Sequence, residues 1–398
     1  MSTFTEPGYP YELIDDRFTK VAARFYSMFG PPDPGGGALA VYLDGEPVLD
    51  IWGGWAAPGR PWEADTLALS YSTGKGVAAT VLHRIAEQGM IEYRNPVAEY
   101  WPEFAAKGKD AITVRDLLRH RAGLQQVRGL LANPDALLDH DASAEALAAA
   151  APDPRRLKAS GYHTVTFGTL VAELAQRASG RSFQDLVRDE LAKPLGDNDF
   201  YFGVPTQQRH RLAELRPRHH IARVPVDTLA RAGTLIPPLR ALFGSVYDGV
   251  FDIPHDSDAA YDAMMPGWNG VFTARSLARL YAAVANDGVV GSHRLLRADT
   301  VRTITDMPFN SRYDYVAGVP LNHSMGYHRA IVGRRFRRDA LGHIGIGGSG
   351  GIAMPKLGLS VAFVTNRLGG AVSSVGDARL PVLAALAAQS AHATREQK

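Results

Sequence analysis

Two residues that could act as a nucleophile and its base lie three positions apart near residue 72. Ser72 and Lys75 follow a short extended run and open an apolar run with helical spacing, which includes Val77, Val81 and Ile85. A serine in the first turn of a helix lies near free backbone N–H groups and the positive end of the helix dipole. A lysine three residues later lies on the same face, so its amine reaches the serine hydroxyl. A desolvated, neutral lysine in this position can help to take the serine proton during acyl transfer.

Two later segments strengthen this pair, which alone would occur by chance in most chains of 398 residues. The first is Tyr162 with Thr164 two positions on, ahead of an apolar helical pattern that Gly180 closes. The second covers residues 342–351, which read GHIGIGGSGG and predict a glycine-rich edge strand and turn. A strand pattern at residues 359–365 follows it.

In this order, the three segments resemble the motifs of the serine β-lactamase and penicillin-binding-protein superfamily. Within that superfamily the chain is most similar to the class C β-lactamase-like esterases, the family VIII carboxylesterases. Four further segments extend the resemblance over about residues 15–390: residues 44–54, 65–67, 96–104 and 113–124. The last of them is similar to the family's LLxHxxGL segment.

The resemblance implies an α+β fold of the β-lactamase/transpeptidase type. An antiparallel sheet would be flanked by N- and C-terminal helices, with a mainly helical domain inserted. We expect residues 1–85 and 310–398 to form the α/β domain and residues 86–309 the helical domain, with the active site in the cleft between them.

The sequence pattern alone predicts an α+β chain whose sheet is built from both ends. Asp44-Gly45 is a strong hairpin signal between two alternating runs. Residues 205–258 show little periodicity and predict irregular structure over the mouth of the active site. Further strands are expected at about residues 325–332, 343–346, 352–354 and 359–365, and helices at about 14–29, 274–285 and 378–388, before a frayed tail from 391.

The resemblance also implies a role for each motif residue. Ser72 would attack the acyl carbon, Lys75 would help to deprotonate it, and Tyr162 would accept and return protons as a phenolate favoured by nearby positive charge. The backbone N–H groups of Ser72 and Ile346 would form the oxyanion hole. Four other tyrosines could compete with Tyr162 but do not fit the motif's order and context: Tyr42, Tyr71, Tyr201 and Tyr247.

Four residues are expected to bind the substrate: His343, Gly345, Thr164 and Trp268. His343 stands where β-lactamases commonly have lysine, and Thr164 where many class C enzymes have asparagine. A histidine is only partly charged near neutrality, so it would hold a substrate carboxylate less strongly than lysine. Both changes favour neutral esters over β-lactams. Two alternatives remain open. In one, His343 only forms a hydrogen bond to Tyr162; in the other, Trp268 only packs in the core.

Ser349 is a rival nucleophile, because residues 347–351 fit the Gly-x-Ser-x-Gly elbow of α/β-hydrolases. That elbow needs a helix after the serine, and Pro355 followed by a strand pattern argues against one. We expect these glycines to let the backbone approach the substrate closely.

Bulk properties exclude several classes of protein. The formal net charge of +2 argues against nucleic-acid binding, and the absence of cysteine excludes disulfides and thiol catalysis. No segment reaches the ~20 apolar residues of a membrane span, and the N-terminus lacks a signal-peptide pattern, so we predict a cytoplasmic protein.

Two basic segments are expected to be solvated surface. The histidines at 210, 219 and 220 lie among arginines without metal-ligand spacing, so we expect no metal and no cofactor. Four arginines surround Phe336 within residues 334–338 and predict a hairpin tip, with contact to anionic lipid or an acidic substrate as the alternative.

The function predicted is that of a serine hydrolase cleaving short-chain carboxylic esters through an acyl-enzyme. The alternatives on the same fold are an amidase, a weak β-lactamase or an acyltransferase, with D,D-peptidase activity less favoured. An inert penicillin-binding-like sensor is the alternative from a different class. The partner expected is a small-molecule ester; the sequence fixes neither the physiological substrate nor the oligomeric state.

Overall fold

The computed structural model describes nearly all of the chain outside two long segments. The described residues are 12–30, 35–127, 129–131, 133–154, 157–216, 244–245, 253–306, 312–368 and 377–396. Tyr247, the histidines at 219 and 220 and much of the 205–258 segment lie outside them.

Thirteen strands and eleven α-helices occur in the described residues. The strands are β1 (Leu13–Ile14), β2 (Gly36–Leu43), β3 (Glu46–Ala57), β4 (Arg60–Pro61), β5 (Ala68–Leu69), β6 (Phe200–Tyr201), β7 (Val271–Phe272), β8 (Val289–Val290), β9 (His293–Arg294), β10 (His328–Val332), β11 (Arg335–Ile344), β12 (Gly350–Met354) and β13 (Leu359–Thr365). The helices are α1 (Thr19–Tyr26), α2 (Gly74–Glu87), α3 (Val114–Leu118), α4 (His140–Ala149), α5 (Thr166–Ser179), α6 (Phe183–Val187), α7 (Lys193–Leu195), α8 (Asp258–Asp262), α9 (Ala274–Ala285), α10 (Ala298–Thr305) and α11 (Arg379–Glu396).

The main sheet is antiparallel and joins the two ends of the chain. Its strand order is β1-β3-β2-β13-β12-β11-β10, with β4 paired to β3. The junction is the β13–β2 pair, in which Val361 lies opposite Val41. The hairpin between β2 and β3 turns at Asp44 and Gly45, whose φ angles of 53° and 86° are left-handed. The predicted α+β fold, with a sheet built from both ends, is therefore confirmed.

Both faces of this sheet are covered, as the alternation along β2 shows. Leu39 and Val41 pack in one apolar cluster with α1 and α11. Ala40, between them, belongs to a second cluster with α2, α5 and α9. Helix α2, which begins two residues after Ser72, and the central sheet thus share one core.

Helix α9 covers the second face of the sheet directly. The Ser360 hydroxyl of β13 donates to the Ala278 carbonyl of α9 at 2.9 Å. A Cβ at Gly351 of β12 would lie 2.2 Å from the Tyr281 ring of α9, so only glycine fits there. The division of the chain at residues 86 and 309 stays a prediction; α9, from within the 86–309 range, packs on the sheet.

Three sequence predictions of local structure need correction. The glycine-rich segment is not at an edge, because β11 lies between β10 and β12. Strand β11 also begins at Arg335, well before residue 343, since it pairs with β10 across a tight turn. The last helix continues to Glu396, where a frayed tail was expected, because Ala387 and Ala391 continue its buried apolar face.

The described helices include none that combines the length and apolar character of a membrane span. The cytoplasmic location expected from the sequence stays a prediction.

Candidate active site

A strained turn presents Ser72. Strand β5 leads into a 3-10 turn, Tyr71–Thr73, that continues into α2. Tyr71 is buried with φ of 49°, a left-handed conformation that a bulky residue adopts only when its surroundings impose it. Two hydrogen bonds impose it here: Ser70 N–H donates to the Gly270 carbonyl at 2.8 Å, and the Thr73 hydroxyl donates to the Ser349 carbonyl at 3.1 Å. The Ser72 side chain is thereby fixed at the start of the helix.

Lys75 contacts the Ser72 hydroxyl directly. Its Nζ lies 2.8 Å from Ser72 Oγ, and it also donates to the Gly267 carbonyl. The amine is fully buried, and this desolvation holds the pKa of Lys75 well below its ordinary value. A neutral amine can donate one N–H to Gly267 and keep its lone pair for the Ser72 proton.

Close packing holds the Gly267 carbonyl in place. A Cβ at Gly168, in the first turn of α5, would lie 1.8 Å from the Gly267 nitrogen. The helix that follows the Tyr162 motif therefore packs backbone to backbone against the loop that binds Lys75. This contact explains why glycine stands at both positions.

Tyr162 completes the group. It is half-buried, its phenol hydrogen-bonds to Ser72, and Lys75 Nζ lies 5.1 Å from the ring centroid. Burial raises the pKa of Tyr162, and the charge of Asp314 adds to this, while the bond to Ser72 opposes it. This direction favours the protonated phenol over the phenolate expected from the sequence, because a neutral Lys75 supplies no cation to offset the desolvation.

The end of β11 lies against the nucleophile turn, the 3-10 turn Tyr71–Thr73 that carries Ser72. A Cβ at Gly345 would lie 2.2 Å from the Ser70 carbonyl oxygen, so the two backbones touch only because this residue is glycine. Gly345 N–H donates to the Ser349 carbonyl at 2.8 Å, closing the turn that carries Ile346. Within the described chain the Ile346 N–H makes no hydrogen bond, and the Ser72 N–H lies in the first turn, where helices leave donors unused. Both N–H groups are thus available for an oxyanion.

Burial favours the neutral form of His343 over the partial charge expected from the sequence. His343 is fully buried on β11, and this desolvation holds its pKa well below the usual range. Its ring centroid is 6.1 Å from that of Tyr162, and neither ring nitrogen has a hydrogen-bond partner among the described residues. The alternative of a histidine hydrogen-bonded to Tyr162 does not hold here.

Thr164 and Trp268 both lie next to this group, with their side chains already engaged. The Thr164 hydroxyl is 3.0 Å from that of Ser245. Trp268 is buried in an apolar cluster, and its ring centroid is 4.9 Å from that of His255, which in turn contacts the Tyr71 ring. The packing alternative for Trp268 describes these contacts best.

Ser349 is a structural residue. Its hydroxyl accepts from Thr365 N–H at 3.1 Å and donates weakly to the Thr365 carbonyl. Strand β12 follows it, so the strand–turn–helix of a nucleophile elbow is absent from this described segment.

The described parts of the two basic segments fall on the surface. His210 is exposed in a 3-10 turn, Thr206–Arg211. Arg334 and Arg335 are exposed at the tight turn between β10 and β11, as the predicted hairpin tip requires, and Arg337 pairs with Asp339 at 2.6 Å.

Sequence reasoning missed a buried layer behind Tyr162. His120 and His323 have ring centroids 5.2 Å and 5.4 Å from Tyr162, and His328 lies 4.7 Å from His343. Asp314 contacts this layer as well, at 3.4 Å from His323. Only His120 carried a signal, since it is the histidine of the segment at 113–124; the others are distant in sequence. No group of three or more acidic or histidine side chains in the described residues has metal-binding geometry.

Comparison with known proteins decides the family. The beta-lactamase family model matches residues 32–386. The chain belongs to the beta-lactamase family. The resemblance inferred from the three motifs, and the fold it implied, are confirmed.

Three similar proteins are an esterase/beta-lactamase, a carboxylesterase and a penicillin-binding-protein homologue. The chain is 42% identical over 362 residues to the esterase/beta-lactamase LipL of Mycobacterium tuberculosis, covering 90% of this chain and 83% of that protein. It is 34% identical to a family VIII carboxylesterase of known crystal structure, with a TM-score of 0.81 over 95% of this chain and 98% of that one. A penicillin-binding-protein homologue from Caulobacter crescentus is 31% identical, with a TM-score of 0.83 over 95% and 98%. The chain is a serine hydrolase of this esterase and beta-lactamase family.

Proposed function

We propose that this chain cleaves short-chain carboxylic esters through an acyl-enzyme formed on Ser72. The observation that carries the proposal is the 2.8 Å contact between Ser72 Oγ and the fully buried amine of Lys75. A neutral amine at that distance can take the serine proton as the C–O bond forms.

In the acylation step the Ser72 oxygen bonds to the acyl carbon, and its proton passes to Lys75. The carbonyl oxygen becomes an oxyanion, which we assign to the N–H groups of Ser72 and Ile346. One such donor stabilises a transition state by about 3–4 kcal/mol. Breaking the ester C–O bond leaves an alkoxide, to which the protonated phenol of Tyr162 donates; Lys75 then returns the proton to Tyr162.

Deacylation repeats these roles with water as the nucleophile. Water gives its proton to the Tyr162–Lys75 pair as it attacks the acyl carbon, and the Ser72 oxygen leaves with that proton. Each turnover thus consumes one ester and one water, and releases one acid and one alcohol, while the enzyme's own protons are restored.

The neutral state of His343 supports an ester rather than an anionic substrate. A buried imidazole without charge gives no fixed cation to hold a carboxylate. His343, Gly345 and Thr164 stay our proposed substrate contacts. A weak β-lactamase is the second candidate, because the 42% identical relative is named an esterase/beta-lactamase.

A covalent label tests the proposal. A p-nitrophenyl phosphonate should add one phosphonyl group to Ser72, located by peptide mass spectrometry, and Ser72→Ala should lose both the label and the hydrolysis of p-nitrophenyl butyrate. Ser349→Ala is the matched control and should keep both. A label on Ser349, or hydrolysis retained by Ser72→Ala, would overturn the assignment.

Substrate preference requires a separate series. We expect kcat/KM for p-nitrophenyl esters to fall with increasing acyl length and nitrocefin to be a poorer substrate than the butyrate. An initial burst of p-nitrophenol would show the acyl-enzyme and exclude an inert sensor.

A further inference from the structure

Asp314 is a buried carboxylate that the proposed reaction does not use. Only 2% of its surface is exposed, yet it holds a network of hydrogen bonds beside the catalytic tyrosine. Its Oδ1 accepts the Tyr162 N–H at 3.0 Å and the N–H groups of Val316 and Ala317 at 2.9 Å each. Its Oδ2 accepts the Ser160 hydroxyl at 3.0 Å. One carboxylate therefore holds the Ser160 side chain and the Tyr162 main chain, on either side of Gly161.

His323 connects the same carboxylate to the tyrosine ring. Its Nε2 lies 3.4 Å from Asp314 Oδ2, and both side chains are 1% exposed. The His323 ring is nearly parallel to the Tyr162 phenol, at 7° and a centroid distance of 5.4 Å. The Tyr162 main chain and ring are thus held by two linked groups, both from residues 314–323.

We propose that Asp314 and His323 are positioning residues that hold Tyr162 in place for proton transfer with Ser72. The inference rests on the proposed function, since it assumes that Tyr162 transfers a proton. A displacement of about 1 Å at such a group costs about 10²-fold in rate, which is the scale of effect expected here.

Asp314 also acts on the charge of the phenol. Burial raises the pKa of Tyr162, and the negative charge of Asp314 raises it further. Burial alone would raise the pKa of Asp314, but bonds from His323, Ala317 and Tyr162 hold it below its usual value, so the carboxylate stays charged.

Four other titratable groups face the phenol: Lys75, His120, His343 and His323. Desolvation lowers the pKa of the first three, and His323 lies against Asp314 itself. The negative charge of Asp314 raises the pKa of Tyr162 and favours the protonated phenol.

A double-mutant cycle separates positioning from general structural damage. In the wild-type background Asp314→Ala should lower kcat/KM for p-nitrophenyl butyrate by about 10²-fold. In a Tyr162→Phe background the same change should cost only a few-fold, because the proton transfer it supports is already lost. Equal losses in the two backgrounds would overturn the proposal.

The isosteric variant keeps the test decisive if Asp314→Ala does not fold. Asp314→Asn retains an oxygen for the three N–H donors but loses the charge and replaces the Oδ2 acceptor of Ser160 by an NH2 donor. Because the main-chain bonds remain, most activity at neutral pH should be kept. Removing the anion favours the phenolate, so the basic limb of the kcat/KM profile should move to lower pH. An unmoved basic limb would contradict the electrostatic role. Asp50→Asn, which changes another buried carboxylate, on β3 and paired with Arg275, is the matched control and should leave the limb in place.

Phosphonate labelling of the wild-type protein distinguishes a failure of the proposed function from a failure of the positioning role of Asp314 alone. If Ser72 is not labelled, the proposed function fails. If Ser72 is labelled but the cycle is additive, only the positioning role of Asp314 fails.

Discussion

Lys75 and Tyr162 lie in one buried group, and burial moves their pKa values in opposite directions. Desolvation penalises the charged form of each, so it lowers the pKa of the amine and raises that of the phenol. At neutral pH the pair is therefore an uncharged base beside an uncharged acid. This is the combination that the acyl transfer proposed for Ser72 requires.

The first prediction at the residue scale concerns the acid limb of the pH profile of kcat/KM. Protonation of Lys75 removes the base, so kcat/KM for p-nitrophenyl butyrate should fall as pH is lowered through the pKa of Lys75. Lys75→Arg stays charged at every working pH and should lose roughly 10²–10⁴-fold. A Lys75→Arg enzyme with near wild-type turnover would show that another group is the base.

The second prediction concerns stability. The unfolded chain protonates Lys75 up to its ordinary pKa of 10.5, whereas the folded site does not, so this residue makes stability rise with pH within that window. Lys75→Met should therefore raise the free energy of unfolding at neutral pH by about 1 kcal/mol while it removes activity. Urea unfolding at several pH values should show the gain shrinking as pH rises; a loss of stability at neutral pH would contradict it.

The third prediction concerns substrate choice at His343. A lysine there would supply one charge-assisted hydrogen bond to a β-lactam carboxylate, worth about 1.5–3 kcal/mol, or roughly 10–150-fold. His343→Lys should raise the nitrocefin to p-nitrophenyl butyrate ratio of kcat/KM by that order. Thermal melting of both proteins controls for folding. A wild-type enzyme that already prefers nitrocefin would refute the ester assignment.

At the scale of elements, the site depends on how closely β11 approaches the nucleophile turn. Gly345 permits that approach, since any Cβ there would meet the Ser70 carbonyl. Arg379 of α11 supports the same turn from behind by donating to the Gly347 carbonyl at 2.7 Å. The oxyanion-hole geometry that we propose thus depends on a strand, a 3-10 turn and the terminal helix together.

Gly345→Ala tests this dependence. The new methyl group must push β11 away from Ser70, so we expect a strain cost of about 1–3 kcal/mol and a loss in kcat of about 10²-fold with little change in KM. Gly30→Ala, where a Cβ meets nothing within 4 Å, is the control and should change neither quantity. Wild-type kcat in Gly345→Ala would mean that the turn does not set the oxyanion geometry.

For the whole molecule, the sheet holds together segments from both ends of the chain. The β13–β2 pair joins them, and α1 and α11 cover the shared face. Folding of the N-terminal segment that carries Ser72 therefore depends on residues more than 300 positions later.

Leu383 on α11 tests this coupling. It is fully buried against the sheet, so Leu383→Ala should lower the free energy of unfolding by about 2–5 kcal/mol in urea. Gln389→Ala, on the exposed side of the same helix, should change it by less than about 0.5 kcal/mol. Similar effects of the two substitutions would show that α11 does not belong to the cooperative core.

The sequence by itself determined the parts of this protein that depend on local pattern. Ser72 and Lys75 lie one helical turn apart, and Thr113 and Asp116, three positions apart, form a capping box. The Asp44-Gly45 turn also has the left-handed backbone that its composition indicated. Such features need only neighbouring residues, so spacing was enough to predict them.

Only the tertiary structure decided the charge states and the partners of the site. Burial by distant segments raises the pKa of Tyr162 and lowers that of His343, which favours a protonated phenol over the expected phenolate and a neutral imidazole over the expected partial charge. The contacts of Gly267 with Lys75 and of Asp314 with Tyr162 span 192 and 152 positions and follow no local pattern. Desolvation and long-range packing are properties of the folded core, and the order of residues does not state them.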